Sequence, residues 1–319
     1  MKLWKPEIFQ GKLTKAQYFE GWYFKLVDKD EKYSFAIIPG ISLSPAYSHS
    51  FIQFFQGHSG KAEYFSFERE AFSSNSTIFH VSIANSSFSL NHASLHIAGE
   101  NQTIEGELTF KKIRSWPVSL LSPGVMGPFR FIPFMECYHG VLSFNNTVEG
   151  SITINGKKID MTGGKGYIEK DWGVSMPSSW IWLQTNHFEE EDVSLFGSIA
   201  TIPWLGNFFP GFIFGLFYKG KTYRFATYTG AKISQLEVTD EHISIHIESR
   251  KYVLKLNADR EKGADLPAPS KGTMTSKVNE SLRSRIATEL IDKKNNTVIF
   301  HGTGRNAGLE FVGKTTELT

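Results

Sequence analysis

Ile243, Ile245 and Ile247 alternate with Ser244, His246 and Glu248. A two-residue period of this kind belongs to a half-buried strand, because successive side chains of an extended chain leave opposite faces. Short β-rich runs recur at 33–38, 50–55, 63–67, 78–83, 88–97 and 103–110. Turn residues separate them at roughly ten-residue intervals, the rhythm of antiparallel barrels and sandwiches. The window 281–291 is ambiguous, since Ile286, Leu290 and Ile291 fit a helix or a strand pair. Phenylalanine reaches 27 residues and aromatics 14 % of the chain, which suits β-structure and apolar cavities.

A repeat sets the expected organisation. Trp22-Tyr-Phe-Lys-Leu-Val precedes a charged turn (28–32) and Tyr-Ser-Phe. Trp180-Ile-Trp-Leu-Gln-Thr-Asn-His-Phe precedes a second charged turn (189–192) and Val-Ser-Leu-Phe, about half the chain later. Self-similarity at that distance predicts two related β-domains, placed at 1–165 and 166–319. The fold class expected is all-β, with two lipocalin-like antiparallel barrels or curled sheets packed together. The stretch 263–272, rich in Gly, Ala and Pro, reads as a loop or excursion inside the second domain.

The segment from Gly166 to Phe188 concentrates chemistry. Glu169, Lys170 and Asp171 directly precede Trp172, and Trp180 and Trp182 lie two apart, on one face of a strand. Acids beside indoles can protonate an apolar substrate and hold the resulting cation. The same residues also fit an aromatic core with a charged turn at its edge.

Other classes are excluded or disfavoured. The net charge of +2 without a basic tract or motif speaks against nucleic-acid binding. A single cysteine, Cys137, rules out an internal disulfide framework and a thiolate zinc cluster. His92 and His96 lie in an alternating, strand-like run, and a zinc site is not expected there. The glycines of 302–308 lack the Lys-Ser/Thr ending of a phosphate loop. Residues 1–15 show no signal-peptide pattern, so the expected location is cytoplasmic. Residues 115–129 and 193–218 carry no formal charge. Pro203, Gly206, Asn207, Pro210, Gly211 and Gly215 break the second run, which argues against a spanning helix. It reads either as two buried strands joined by a turn or as an apolar loop, with Trp204, Leu205, Phe208, Phe209 and Phe212 rimming a cavity or touching a membrane surface.

Glu20-Gly21-Trp22-Tyr23-Phe24-Lys25 is similar to the opening signature of the tocopherol cyclase family. Tyr167, Glu169, Lys170, Trp172, Gly173, Pro177, Trp180, Trp182, Gln184, Asn186 and Phe188 resemble its central motif at the same spacing, and Ala307-Gly308-Leu309-Glu310 resembles its ending. The resemblance runs from Tyr18 to Gly313. It departs from the plant pattern at Asp171, where that pattern has Asn, and at Val174-Ser175-Met176, which replaces a more glycine-rich turn.

This resemblance implies a two-barrel, lipocalin-like protein of the kind that includes carotenoid hydratases. It further implies an intramolecular lyase needing neither cofactor nor metal. A proton is added to the alkene of a prenylated hydroquinone or related isoprenoid, and the phenol oxygen captures the tertiary cation. Glu169 or Asp171 would be the acid, kept protonated by apolar surroundings. His139 would take the phenolic proton. Trp172, Trp180 and Trp182 would line the cation path, Trp22 would contact the substrate, and Tyr23, Gln184 and Asn186 would orient the oxygens. Simpler roles stay open: an ion pair between Glu169 and Lys170, and a sheet histidine at 139. The rival function is a non-catalytic carrier of a hydrophobic molecule. Oligomeric state is not legible.

Overall fold

The computed structural model describes residues 2–204 and 206–319, and its regular structure is almost entirely antiparallel β, as expected. The first sheet contains β1 (Tyr18–Val27), β2 (Ser34–Leu43), β3 (His49–Gln56), β4 (Lys61–Glu68), β5 (Phe72–Ser74), β6 (His80–Ile83), β7 (Ser86–Ser89), β8 (His92–Ala98), β9 (Thr103–Arg114), β10 (Cys137–Ile154), β11 (Lys157–Asp160) and β12 (Gly164–Gly173). The second contains β13 (Trp180–Thr185), β14 (Ser194–Trp204), β15 (Asn207–Tyr218), β16 (Lys221–Ala226), β17 (Lys232–Val238), β18 (His242–Glu248), β19 (Tyr252–Asp259), β20 (Ala264–Ser270), β21 (Thr273–Asp292) and β22 (Thr297–Val312). The ambiguous window 281–291 is thus extended, inside β21.

The two sheets repeat one plan. The first runs β4-β3-β2-β1-β12-β10-β9-β8-β7, continuing to β6 and β5. The second runs β16-β15-β14-β13-β22-β21-β19-β18-β17. Each plan starts with four hairpin-linked strands and then returns a late strand to pair with the first of them. Trp22 and Trp180 lie on equivalent strands, β1 and β13, yet on opposite faces. Trp22 is fully buried in the aromatic core of the first sheet, whereas the core face of β13 holds Ile181 and Leu183. A one-residue offset in a strand reverses the face.

The compact units divide at residue 176, not 165. One comprises 1–176 with 266–277, the other 177–265 with 278–319. The charged half of the Gly166–Phe188 motif is β12, a central strand of the first sheet paired with β1 and β10. The 263–272 excursion likewise falls largely in the first unit, where Ser42 Oγ donates to Gly272 O (2.7 Å) and Gln53 Nε2 to Pro267 O (3.1 Å).

Each unit fills its own core. In the first, Trp22 stacks on Phe79 (5.8 Å), and Phe24 packs on Phe79, Phe88 and Phe110 within 6.3 Å. In the second, Ile181, Leu183, Leu195, Ile199, Phe214, Phe225, Ile243, Ile245 and Ile247 interdigitate. Burying one such side chain is worth roughly 1.5–3 kcal/mol. Among the described residues no helix is long and apolar enough to cross a membrane.

Candidate active site

Strand register sorts the charged motif onto two faces. Directly opposed residues in an antiparallel ladder share a face. Gly21, Asp171 and His139 form one row across β1, β12 and β10, and Tyr23, Glu169 and Val141 form the next. Lys25 and Tyr167 continue that face. Trp22, Lys170 and Gly140 form a row on the other side, as do Glu20, Trp172 and Tyr138.

The first face holds a cluster of ionisable side chains. His139 Nδ1 lies 2.7 Å from Asp171 Oδ1, and His139 Nε2 lies 3.5 Å from Glu169 Oε2. Tyr167 OH donates to Glu169 Oε2 at 2.5 Å. Glu169 and Tyr167 are buried, while His139 and Asp171 keep partial access. Burial, with the neighbouring Glu169 and Asp171 charges, pushes the Tyr167 phenol well above its ordinary value, so it remains a donor. Register shifts in β10 around Ser143 bend the strand just past His139, the kind of irregularity that re-aims side chains beside a site. The His139 backbone N–H contacts Met126 Sδ (3.2 Å). Burial also pushes the nearby Cys137 thiol well up, which disfavours its thiolate.

The donor atoms of His139, Glu169 and Asp171 all lie within 4.8 Å of one another. That set of one imidazole and two carboxylates can hold a divalent ion. It can equally pass a proton along Tyr167, Glu169, His139 and Asp171.

The other face is structural, which corrects three expectations. Lys170 does not pair with Glu169. It forms a fully buried ion pair with Glu20 and donates to Pro6 O (2.7 Å) and Ile8 O (2.6 Å). Glu20 in turn accepts from Tyr18 OH and from the backbone N–H groups of Gln10 and Gly11. Trp22 and Trp172 flank this pair, with Lys170 Nζ 4.7 and 4.9 Å from their rings. Strand alternation therefore turns both indoles away from Glu169 and Asp171, and neither lines a path beside those acids. Trp22 Nε1 donates to Glu7 O (2.9 Å), while Trp172 stacks on Tyr138 (5.6 Å) beneath Arg130.

Trp180, Trp182 and Gln184 share the face of β13 opposite the core of the second unit, as their spacing predicts. Trp182 opposes Glu310, whose carboxylate accepts from Trp180 Nε1 at 2.7 Å. Gly308 seats Trp182: a Cβ there would lie 2.5 Å from the ring. Asn186 is buried just beyond the strand. In the β14–β15 hairpin, Phe208 is 56 % exposed, while Trp204 and Phe209 are half-buried and touch edge to face. Phe212 is withdrawn from any surface, 8 % exposed in the core against Phe214. Leu205 lies outside the described residues.

Buried phenols make stability sensitive to alkali. Burial raises Tyr18, Tyr64 and Tyr167, with Glu20 reinforcing it at Tyr18 and Glu169 at Tyr167. An unfolded tyrosine ionises near pH 10 (roughly). The contribution of these groups is therefore complete below that pH and lost as pH rises through it, because the unfolded chain releases protons the folded one retains. Lys170 acts oppositely. Burial, offset by Glu20, holds it down to about 8, so its neutralisation adds stability between there and the ordinary lysine value of about 10.4. Denaturation midpoints should then fall steeply above about pH 10.5. Absorbance titration should show these tyrosines ionising together with unfolding. Their free titration in the folded protein would contradict this.

Fold and cluster together define an all-β, lipocalin-like protein with a partly buried carboxylate–imidazole–carboxylate array. Within that class, the chain belongs to the tocopherol cyclase-like family, which residues 84–313 match. It is 23 % identical over 223 residues to the probable chloroplastic tocopherol cyclase of Oryza sativa subsp. japonica, covering 66 % of this chain and 47 % of that protein. It is 24 % identical over 134 residues to the chloroplastic tocopherol cyclase of Zea mays, covering 40 % and 28 %. The chain thus spans less than half the length of these relatives. Similar solved structures include CghA with Sch210972 (TM-score 0.57, 11 % identity, 93 % of this chain and 89 % of that one). They also include a putative AttH of Nitrosomonas europaea (0.54, 13 %, 96 % and 98 %) and kievitone hydratase of Nectria haematococca (0.52, 13 %, 96 % and 94 %). At such identities the likeness shows the fold alone.

Proposed function

We propose that this protein is a cofactor-independent intramolecular lyase that closes a ring on a prenylated hydroquinone or related isoprenoid. The observation that carries the reading is His139 held between Asp171 and Glu169 on one partly buried face. Ring closure consumes no proton overall. An acid gives one to the less substituted alkene carbon, leaving a tertiary cation. The phenol oxygen forms the C–O bond, and its proton must return to the acid. Glu169 acts as that acid, His139 takes the phenolic proton, and their contact returns it. Asp171 orients the imidazole and stabilises its charged form, as carboxylates beside catalytic histidines do. Tyr23, opposite Glu169, orients the hydroquinone. In the second unit taken by itself, the indole face of β13, with Gln184 and Asn186, is a contact for apolar molecules.

The test is incubation of the full chain with a prenylated hydroquinone series, with and without chelator. An isomeric chromanol formed equally in both supports the lyase. A substrate that binds and returns unchanged across the series supports the carrier instead. Turnover lost to chelator and restored by a divalent ion would make His139, Glu169 and Asp171 metal ligands and overturn the proton relay.

A further inference from the structure

The connection from β9 to β10 ends in an unusual tip. Ser119 and Ser122 pair through both backbone groups (2.9 and 3.1 Å), leaving Leu120 and Leu121 as the two turn residues. Turn tips favour Gly, Asn, Asp, Pro and Ser, each for a conformational reason. Here the leucines stand 76 % and 75 % exposed, with Val118, Phe131 and Phe134 exposed in the same connection. The stalk below is held. Trp116 is buried and stacks on Phe144 (5.3 Å), Val125 and Met126 are buried, and Tyr138 OH donates to Ile132 O (2.5 Å).

Charge states what this tip meets. From Leu108 to Met135 the chain has Lys111, Lys112, Arg114 and Arg130 and no acidic residue. Lys112 is exposed at the base of the connection, while Lys111 is engaged by Glu149 (2.6 Å). Arg130 is buried against Trp172, so the exposed charge of this connection is Lys112, and apolar side chains at the tip of a segment with cations and no acids match an anionic bilayer, where acyl chains lie beneath negative headgroups. A protein partner of ordinary affinity would need roughly 800 Å² of complementary surface on each side, and a two-residue protrusion does not provide it.

We infer that the Leu120–Leu121 tip docks this protein on anionic lipid membranes. The docking gains its meaning from the lipophilic substrate proposed above, because the same connection passes Met126 against His139. The binding itself is measured without substrate.

The experiment is flotation of the full chain with phosphatidylcholine vesicles with and without phosphatidylglycerol. Wild type should float with the anionic vesicles and be released by high salt. The Leu120→Ser/Leu121→Ser variant should bind about tenfold less or weaker still, with an unchanged denaturation midpoint because both side chains are exposed. Lys112→Glu should lose the preference for phosphatidylglycerol. Phe208→Ser serves as comparator at the β14–β15 hairpin. Failure of wild type to float, full binding by the double leucine variant, or loss with Phe208→Ser alone would overturn the inference. So would self-association of wild type that the leucine variant abolishes. Vesicle binding without turnover on any hydroquinone would leave the docking intact and refute the lyase.

Discussion

Lys170→Met is expected to lower stability by about 3–5 kcal/mol, the usual cost of leaving one member of a buried ion pair alone. Lys170 and Glu20 are both fully buried on the core side of β12 and β1. Methionine fills much of the lysine volume, so the loss is electrostatic and not a cavity. It leaves the Glu20 carboxylate without its cation and frees the carbonyls of Pro6 and Ile8. That segment is also tied through Gln10 and Gly11 to Glu20, through Glu7 O to Trp22, and through Gln10 Oε1 to Arg130 (2.8 Å). Phe9, in the core, depends on those ties. The variant should therefore show both a lower denaturation midpoint and faster proteolysis after the lysines of residues 2–15. Glu20→Gln/Lys170→Met, which removes both charges, should recover part of the loss, and a double-mutant cycle would measure the coupling. A change below about 1 kcal/mol in the single variant would mean that the pair is not buried as described.

This clamp marks where sequence reading stops. The all-β class was legible because isoleucines at 243, 245 and 247 allow one geometry, and they are all fully buried in β18. The repeated plan was legible from Trp22 and Trp180, but not the face each indole takes, because a one-residue offset hides in similar strings. Glu169, Lys170, Asp171 and Trp172 read as one group along the chain. In a strand they alternate, so Glu169 and Asp171 face His139 while Lys170 and Trp172 face the core. That parity is a local property, and it was available once β12 was recognised as a strand. Which strand meets β12 was not. Glu20 and His139 reach it through pairings with distant segments, the latter through an irregular register. The apolar run around Phe208 illustrates another limit, since Phe208 and Phe212 share one face of β15, yet Phe208 lies at the exposed hairpin end and Phe212 in the core.

His139→Ala and Glu169→Gln should each reduce turnover by about a hundred- to ten-thousandfold, the range for a positioned acid or base. Neither should change the denaturation midpoint by more than about 1 kcal/mol, since His139 keeps some exposure and glutamine can still accept from Tyr167. If the two residues return one proton between them, either substitution stops the cycle, so the double variant should be scarcely worse than each single one. Losses that multiply would mean independent roles. Asp171→Asn tests orientation apart from charge. An asparagine oxygen can still accept from Nδ1, which preserves the tautomer but removes the anion that stabilises imidazolium. Turnover should fall while substrate binding holds, and the acid limb of the pH–rate profile should move to lower pH, because the imidazolium releases its proton more easily. Tyr167→Phe removes the hydroxyl donor to Glu169 and should shift the basic limb upward, because an unsupported buried carboxylate holds its proton more tightly. Unchanged turnover in folded His139→Ala would end the proton-return scheme, whatever the other variants did.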